Sequence, residues 1–99
     1  MRKSTSFGSM LTIEDEHGKI LWEHLIFERE GRAHTHQTWE NCYVTAGIGT
    51  IVIDDQKVKV QKGEWCHIPP GAAHWMIPLE APFELILYYS DSNPSISIS

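Results

Sequence analysis

His34-Thr35-His36-Gln37-Thr38-Trp39-Glu40 opens, and Pro69-Pro70-Gly71-Ala72-Ala73-His74 closes, a stretch holding four side chains able to ligate a metal: His34, His36, Glu40 and His74. Two histidines spaced i, i+2 cannot share a helix face, but on a strand they point the same way. Glu40 has their parity, so a strand or short hairpin keeps it on their side. Gly47, Gly63 and Gly71 supply the turns that let separate strands aim these groups at one point. Ionisable groups converging inside a small barrel are costly to bury without a cation. The alternative, histidines filling the interior through hydrogen bonds alone, leaves that cost uncompensated.

The spacing resembles the two motifs of the cupin superfamily. The first, Gly-x5-His-x-His-x3,4-Glu-x6-Gly, is matched by His34-x-His36-x3-Glu40-x6-Gly47, with Glu28 where the leading Gly stands. The second, Gly-x5-Pro-x-Gly-x2-His-x3-Asn, is matched by Gly63-x5-Pro69-x-Gly71-x2-His74, with Pro78 in place of the closing Asn. The departures concern the motif edges and leave the ligand set intact. The resemblance implies an antiparallel double-stranded β-helix, the jelly-roll or cupin barrel, around one divalent metal. The family includes dioxygenases, isomerases, lyases, polyketide cyclases, sugar-modifying enzymes and non-catalytic binding barrels, and fold alone does not select among them.

Ninety-nine residues make one domain with a single modest core. The formal net charge of −5 disfavours nucleic acid as a partner, because a phosphate backbone needs a basic stripe. No apolar run has the length of a membrane span, and the N-terminus lacks the apolar stretch of a signal peptide. The expected location is therefore the cytoplasm. Cys42 and Cys66 are not a close-spaced pair; they read as reduced thiols and exclude a zinc-finger site.

Along the chain, residues 1–9 read as a loose Ser- and Gly-containing start. Met10 to Ile13 reads as a short strand and Glu14 to Gly18 as a polar turn. Lys19 to Arg29 has apolar residues on both parities, as in a strand covered on both faces. His24 there reads as packed or hydrogen-bonded. Glu40 to Ala46 is the next strand, Gly47-Ile48-Gly49 a corner, and Thr50 to Ile53 a β-branched strand. Asp54 to Gln56 turns into Lys57 to Lys62, with valines in and lysines out. Trp65 to Ile68 stops at Pro69-Pro70-Gly71, which delivers His74. A loop bracketed by Pro78 and Pro82 leads to a last strand, Phe83 to Tyr89, with Phe83, Leu85 and Leu87 inward. Ile86 and Tyr88 then face outward, which suggests a homodimer interface. Residues 90–99 form a polar tail. Short strands, frequent turns and no helix predict an all-β antiparallel barrel in a single domain, residues 1–99.

Three imidazoles and a carboxylate suit a borderline divalent transition ion: Fe, Mn, Ni, Co, Cu or Zn. Two positions of an octahedral ion stay open for substrate or dioxygen. Glu40 is also the catalytic candidate, as a carboxylate able to leave the ion and act as a base. Arg32 shares the parity of the histidines and is a candidate to hold an anionic substrate group at the barrel mouth, unless it is a solvated rim charge. Cys42, Val44, Met76, Leu85 and Leu87 are interior by parity, with Cys42 and Met76 as substrate-binding candidates and core packing as the plainer role. Trp39 and Trp75 flank ligands and read as mouth walls or outer anchors, and the strand of His67 cannot be phased across the prolines. The leading expectation is a metal-dependent enzyme on a small organic substrate, of dioxygenase, isomerase or lyase type. The competing expectation is a non-enzymatic barrel that binds or senses a small molecule.

Overall fold

The β-branched and aromatic segments all become strands. The computed structural model describes residues 1–94 and contains no α-helix among them. In chain order the strands are β1 (Arg2–Ser4), β2 (Gly8–Glu14), β3 (Ile20–Phe27), β4 (Trp39–Ile53), β5 (Gln56–Gln61), β6 (Trp65–Ile68) and β7 (His74–Ser90). The sheet order is β1-β2-β3-β7-β4-β5, with β6 paired to β4 and every pairing antiparallel.

β4 and β7 form the spine, an antiparallel ladder running from Trp39 opposite Ser90 to Ile53 opposite His74. β6 pairs with Glu40 to Tyr43, and β5 pairs with Ile48 to Ile53, so the two halves of β4 have different outer neighbours. Between them the register slips at Val44, Ala46 and Ile48. The inward residues of both halves nevertheless belong to one buried cluster: Cys42, Val44, Leu85 and Leu87 from one, Ile51, Val60 and Met76 from the other. The ladder is therefore folded over on itself into a jelly roll. Full burial of Phe83 and Leu85 stabilises this fold by about 1.5–3 kcal/mol per side chain.

The fold-over is made by glycine. Gly47 has φ +79°, and a Cβ there would stand 2.3 Å from the Pro82 carbonyl oxygen. At Gly49 a Cβ would lie 2.3 Å from the Phe83 ring. The expected corner at Gly47-Ile48-Gly49 is thus a bulged bend inside one continuous strand. The segment from Pro78 to Pro82, expected as a loop, is likewise part of β7. Both differ from expectation for the same reason: bulges and turns use the same residue types, and only the partner strand tells them apart.

The N-terminal segment differs too. Residues 1–9 were expected to be loose, but Arg2 to Ser4 pairs with Ser9 to Leu11, and the Arg2 guanidinium meets His24 and Ser9. His24 also hydrogen-bonds Glu84 at 3.1 Å, as a packed surface histidine rather than a ligand. On β5 Val60 is buried and the lysines are exposed. Ile86 and Tyr88 lie half-buried on the outer face. Of the expected tail, Ser90 ends β7, and 95–99 lie outside the described residues.

Gly47 and Gly63 both have positive φ, +79° and +92°, but only Gly47 is crowded, with nothing within 4 Å of a Cβ at Gly63. Gly63→Ala is expected to cost about 1–2 kcal/mol of backbone strain, and Gly47→Ala about 2 kcal/mol more, since backbone atoms must shift. Urea unfolding of the two variants measures this difference; equal costs would mean the bend is not fixed by the close approach at Gly47.

Candidate metal centre

His34 and His36 do not sit on a regular strand. They belong to the connection between β3 and β4, which is pinned alongside the start of β7. His34 and His74 exchange both backbone bonds of a single β-bridge, N–H to O=C, at 3.1 and 3.0 Å. The Gly31 N–H donates to the Met76 carbonyl at 2.9 Å, and the Gly71 N–H to the His36 carbonyl at 2.8 Å. The extended i, i+2 geometry expected of a strand is therefore achieved by a bridged connection. Glu40 arrives from β4 and His74 from β7.

One ligand atom from each of His34, His36, Glu40 and His74 lies within 4.8 Å of every other. Glu40 Oε1 is 3.1 Å from His36 Nε2 and 3.2 Å from His74 Nε2. Two of the rings are set by backbone carbonyls two residues upstream. His34 Nδ1 lies 3.0 Å from the Arg32 oxygen, and His74 Nδ1 lies 3.0 Å from the Ala72 oxygen. A carbonyl can only accept, so each Nδ1 carries a proton and Nε2 is the nitrogen left to bind an ion; in His74 that nitrogen must first give up the proton it donates to the Glu40 carboxylate. These carbonyls stand where the outer partners of a metal-binding imidazole stand and hold both rings in orientation.

Electrostatics agree with the geometry. Burial pushes the Glu40 carboxyl up, but the His36 and His74 rings beside it more than offset this and hold it at about 2. Burial pushes His74 down, and its bonds to Glu40 and to the Ala72 carbonyl outweigh that, so it is raised. His36 Nε2 is buried without a hydrogen-bond partner despite its closeness to Glu40. A buried nitrogen with no hydrogen-bond partner, two imidazoles that turn Nε2 toward the centre and an anionic oxygen around one point fit a divalent transition ion.

The centre opens on a cavity of about 330 Å³. Arg32, exposed at the rim, and Met76, buried, are among its walls. Trp75 also walls it; Trp39 does not. Cys42 is corrected: it is fully buried behind Glu40, its Sγ–H directed at Glu40 Oε2 at 3.6 Å, and it does not reach the cavity. Parity gave its face correctly but not its depth. Val44 and Leu85 are likewise deep core, whereas Leu87 reaches the cavity. His67 points to the opposite face of the sheet, where Nδ1 lies 2.9 Å from Asn41 Oδ1, so it has no part in the site.

Among the cavity residues not singled out from the sequence, Glu23 and Tyr89 carry the ionisable groups. Each shares parity with inward neighbours, Glu23 with Leu25 and Phe27, and Tyr89 with Leu85 and Leu87. A polar residue on an inward parity was the available signal.

The family model described as Cupin domain matches residues 24–88, more than half of the chain, and the chain belongs to this family. No functionally curated protein matches the sequence. Among solved structures, the fold is similar to an RmlC-like cupin from Shewanella frigidimarina (TM-score 0.76, 16% identity, 98% of this chain and 88% of that one). It is also similar to KdgF from Halomonas sp. (TM-score 0.71, 17% identity, 90% and 83%). A third is oxalate decarboxylase from Bacillus subtilis, a protein with Mn(II) centres (TM-score 0.80, 18% identity, 98% and 29%). At these identities the likeness shows the fold.

The coupled Glu40–His74 pair gives the metal-free protein a pH signature. Glu40, lowered from 4.5 to about 2, contributes stability that is present above about pH 4.5 and lost as pH falls toward 2. His74, raised from 6.5, contributes stability that is complete below about pH 6.5 and fades as pH rises through its folded value. The pair therefore stabilises most between about pH 4.5 and 6.5, whereas metal binding, which needs neutral imidazole, strengthens above that window. Thermal unfolding of metal-free protein across pH is expected to show this optimum, and Glu40→Gln to flatten it. An identical profile in the variant would show that the pair is not coupled.

Proposed function

For a cupin with this donor set, we propose a metal-dependent enzyme in which His34, His36, Glu40 and His74 hold one divalent transition ion beside a pocket for a small organic substrate. The observation that carries the reading is the convergence of the four ligand atoms within 4.8 Å, with two imidazoles already turned by backbone carbonyls. The Mn(II) centres of the B. subtilis oxalate decarboxylase support a divalent ion on this fold. When bound, the ion would supply Lewis acidity toward a carbonyl, hydroxyl or carboxylate, or oxygen activation if it is iron.

The chain's own residues supply the rest. Glu40 brings the negative charge that offsets the cation in a buried setting. Arg32 at the rim is suited to an anionic substrate group. Met76, Leu87 and the Phe27 ring give apolar walls that limit water beside the reacting groups.

One observation favours the second reading, a non-enzymatic binding or sensing barrel. Glu40 is held at about 2 by His36 and His74, so beside them it stays ionised and is a weak base, since a general base works best near the operating pH. A role for Glu40 as base therefore requires it to leave His36 and His74.

Metal analysis of purified protein is expected to find about one divalent ion per chain. His74→Ala and Glu40→Gln are expected to weaken metal affinity by at least about tenfold with the far-ultraviolet circular dichroism unchanged. Oxygen uptake by the iron-loaded form supports the dioxygenase type, and turnover without uptake the isomerase or lyase type. Metal content unaltered by either substitution would overturn the assignment.

A further inference from the structure

Glu23 is the second carboxylate of the cavity, and only 8% of it is exposed. It points inward from β3 with Leu25 and Phe27. Both of its oxygens accept from neutral hydroxyls, Oε1 from Tyr89 at 3.0 Å and Oε2 from Thr12 at 3.3 Å. Among the described residues, no Lys, Arg or His forms an ion pair with it. A carboxylate in an apolar wall with one neutral donor per oxygen is under-satisfied, and each oxygen keeps acceptor capacity.

Strand register connects this group to the metal centre. Thr12 stands opposite Glu23, Glu23 opposite Leu87, and Tyr89, two residues beyond Leu87, opposite Glu40. Thr12, Glu23, Tyr89 and Glu40 thus form a polar row across four neighbouring strands. Tyr89 measures the gap: its ring packs edge-on against His36, centroids 5.1 Å apart, and its hydroxyl ends on Glu23. The carboxylate and the imidazole cluster stand one tyrosine side chain apart.

We propose that Glu23, oriented by Tyr89 and Thr12, is the second anchor of the cavity and determines specificity. It takes an O–H or N–H donor at the far end of a small ligand whose near end, an oxygen-donor group, occupies the metal centre. The inference rests on the metal-site reading above. A cavity of about 330 Å³ lies at the small end of ligand pockets, so the ligand is a single ring or a short chain bearing these two groups.

The test uses zinc-loaded full-length protein and three probes: benzohydroxamic acid and its 4-hydroxy and 4-methoxy derivatives, titrated calorimetrically. The wild type is expected to bind the 4-hydroxy compound at least about tenfold tighter than the other two, as a hydrogen bond to a charged acceptor implies. Glu23→Gln is expected to reduce that preference to about threefold or less while leaving benzohydroxamate affinity unchanged. Tyr89→Phe, which keeps the Glu23 charge but removes the hydroxyl that orients it, is expected to lower the preference, and it serves should the Gln variant not fold, an undiminished preference there counting against the proposal. Equal binding of all three probes by the wild type, or an undiminished preference in Glu23→Gln, would overturn this proposal and leave the metal reading standing. Failure of every probe to bind protein that holds zinc would overturn this proposal alone, and failure of the protein to take up zinc would overturn both.

Discussion

Glu40 and His74 meet at 3.2 Å although they occupy opposite ends of the same ladder. Glu40 is opposite Tyr89 and His74 opposite Ile53, so on a flat sheet about 40 Å of strand would separate them. The fold-over at Gly47 and Gly49 removes that distance, and closeness of the backbone to Pro82 and Phe83 is what only glycine allows there. The site is therefore a consequence of the bend. The core that packs inside the bend, led by Phe83, Ile51 and Leu85, supplies the energy that keeps a carboxylate and three imidazoles together.

The backbone also decides how the imidazoles present themselves. The His34–His74 bridge fixes the distance between two imidazoles, and the carbonyls of Arg32 and Ala72 fix which nitrogen of each ring faces the centre. A site whose donors are oriented before any ion arrives loses little freedom on binding one. The cavity beside it has an imidazole–carboxylate pole, an apolar middle and a second carboxylate at Glu23. Such a pocket suits a ligand with two differently polar ends, whether it is converted or only held.

The four converging side chains were legible because spacing and parity are local properties: His34, His36 and Glu40 lie within one short stretch, and Pro69, Gly71 and His74 mark a turn. The all-β fold was legible for the same reason, from the β-branched run at Thr50 to Ile53 and the alternation at Lys57 to Lys62. What depended on distant partners was not. Cys42 has the right face but sits behind Glu40, since parity carries no information on depth. His67 could be assigned only once β6 was seen against Asn41 on β4. Glu23 and Tyr89, more than sixty residues apart, become a pair only through β3 and β7. Arg2 to Ser4 has a weak strand signal of its own and is ordered by β2.

X-ray absorption at the metal edge of zinc-loaded protein bears most directly on the claim that these four side chains are one coordination set. The account predicts three imidazole ligands at about 2.0–2.1 Å and a carboxylate oxygen at about 2.0–2.2 Å, with one imidazole shell lost in His34→Ala. A spectrum with sulfur ligation, with fewer than three imidazoles, or unchanged by that substitution would contradict it.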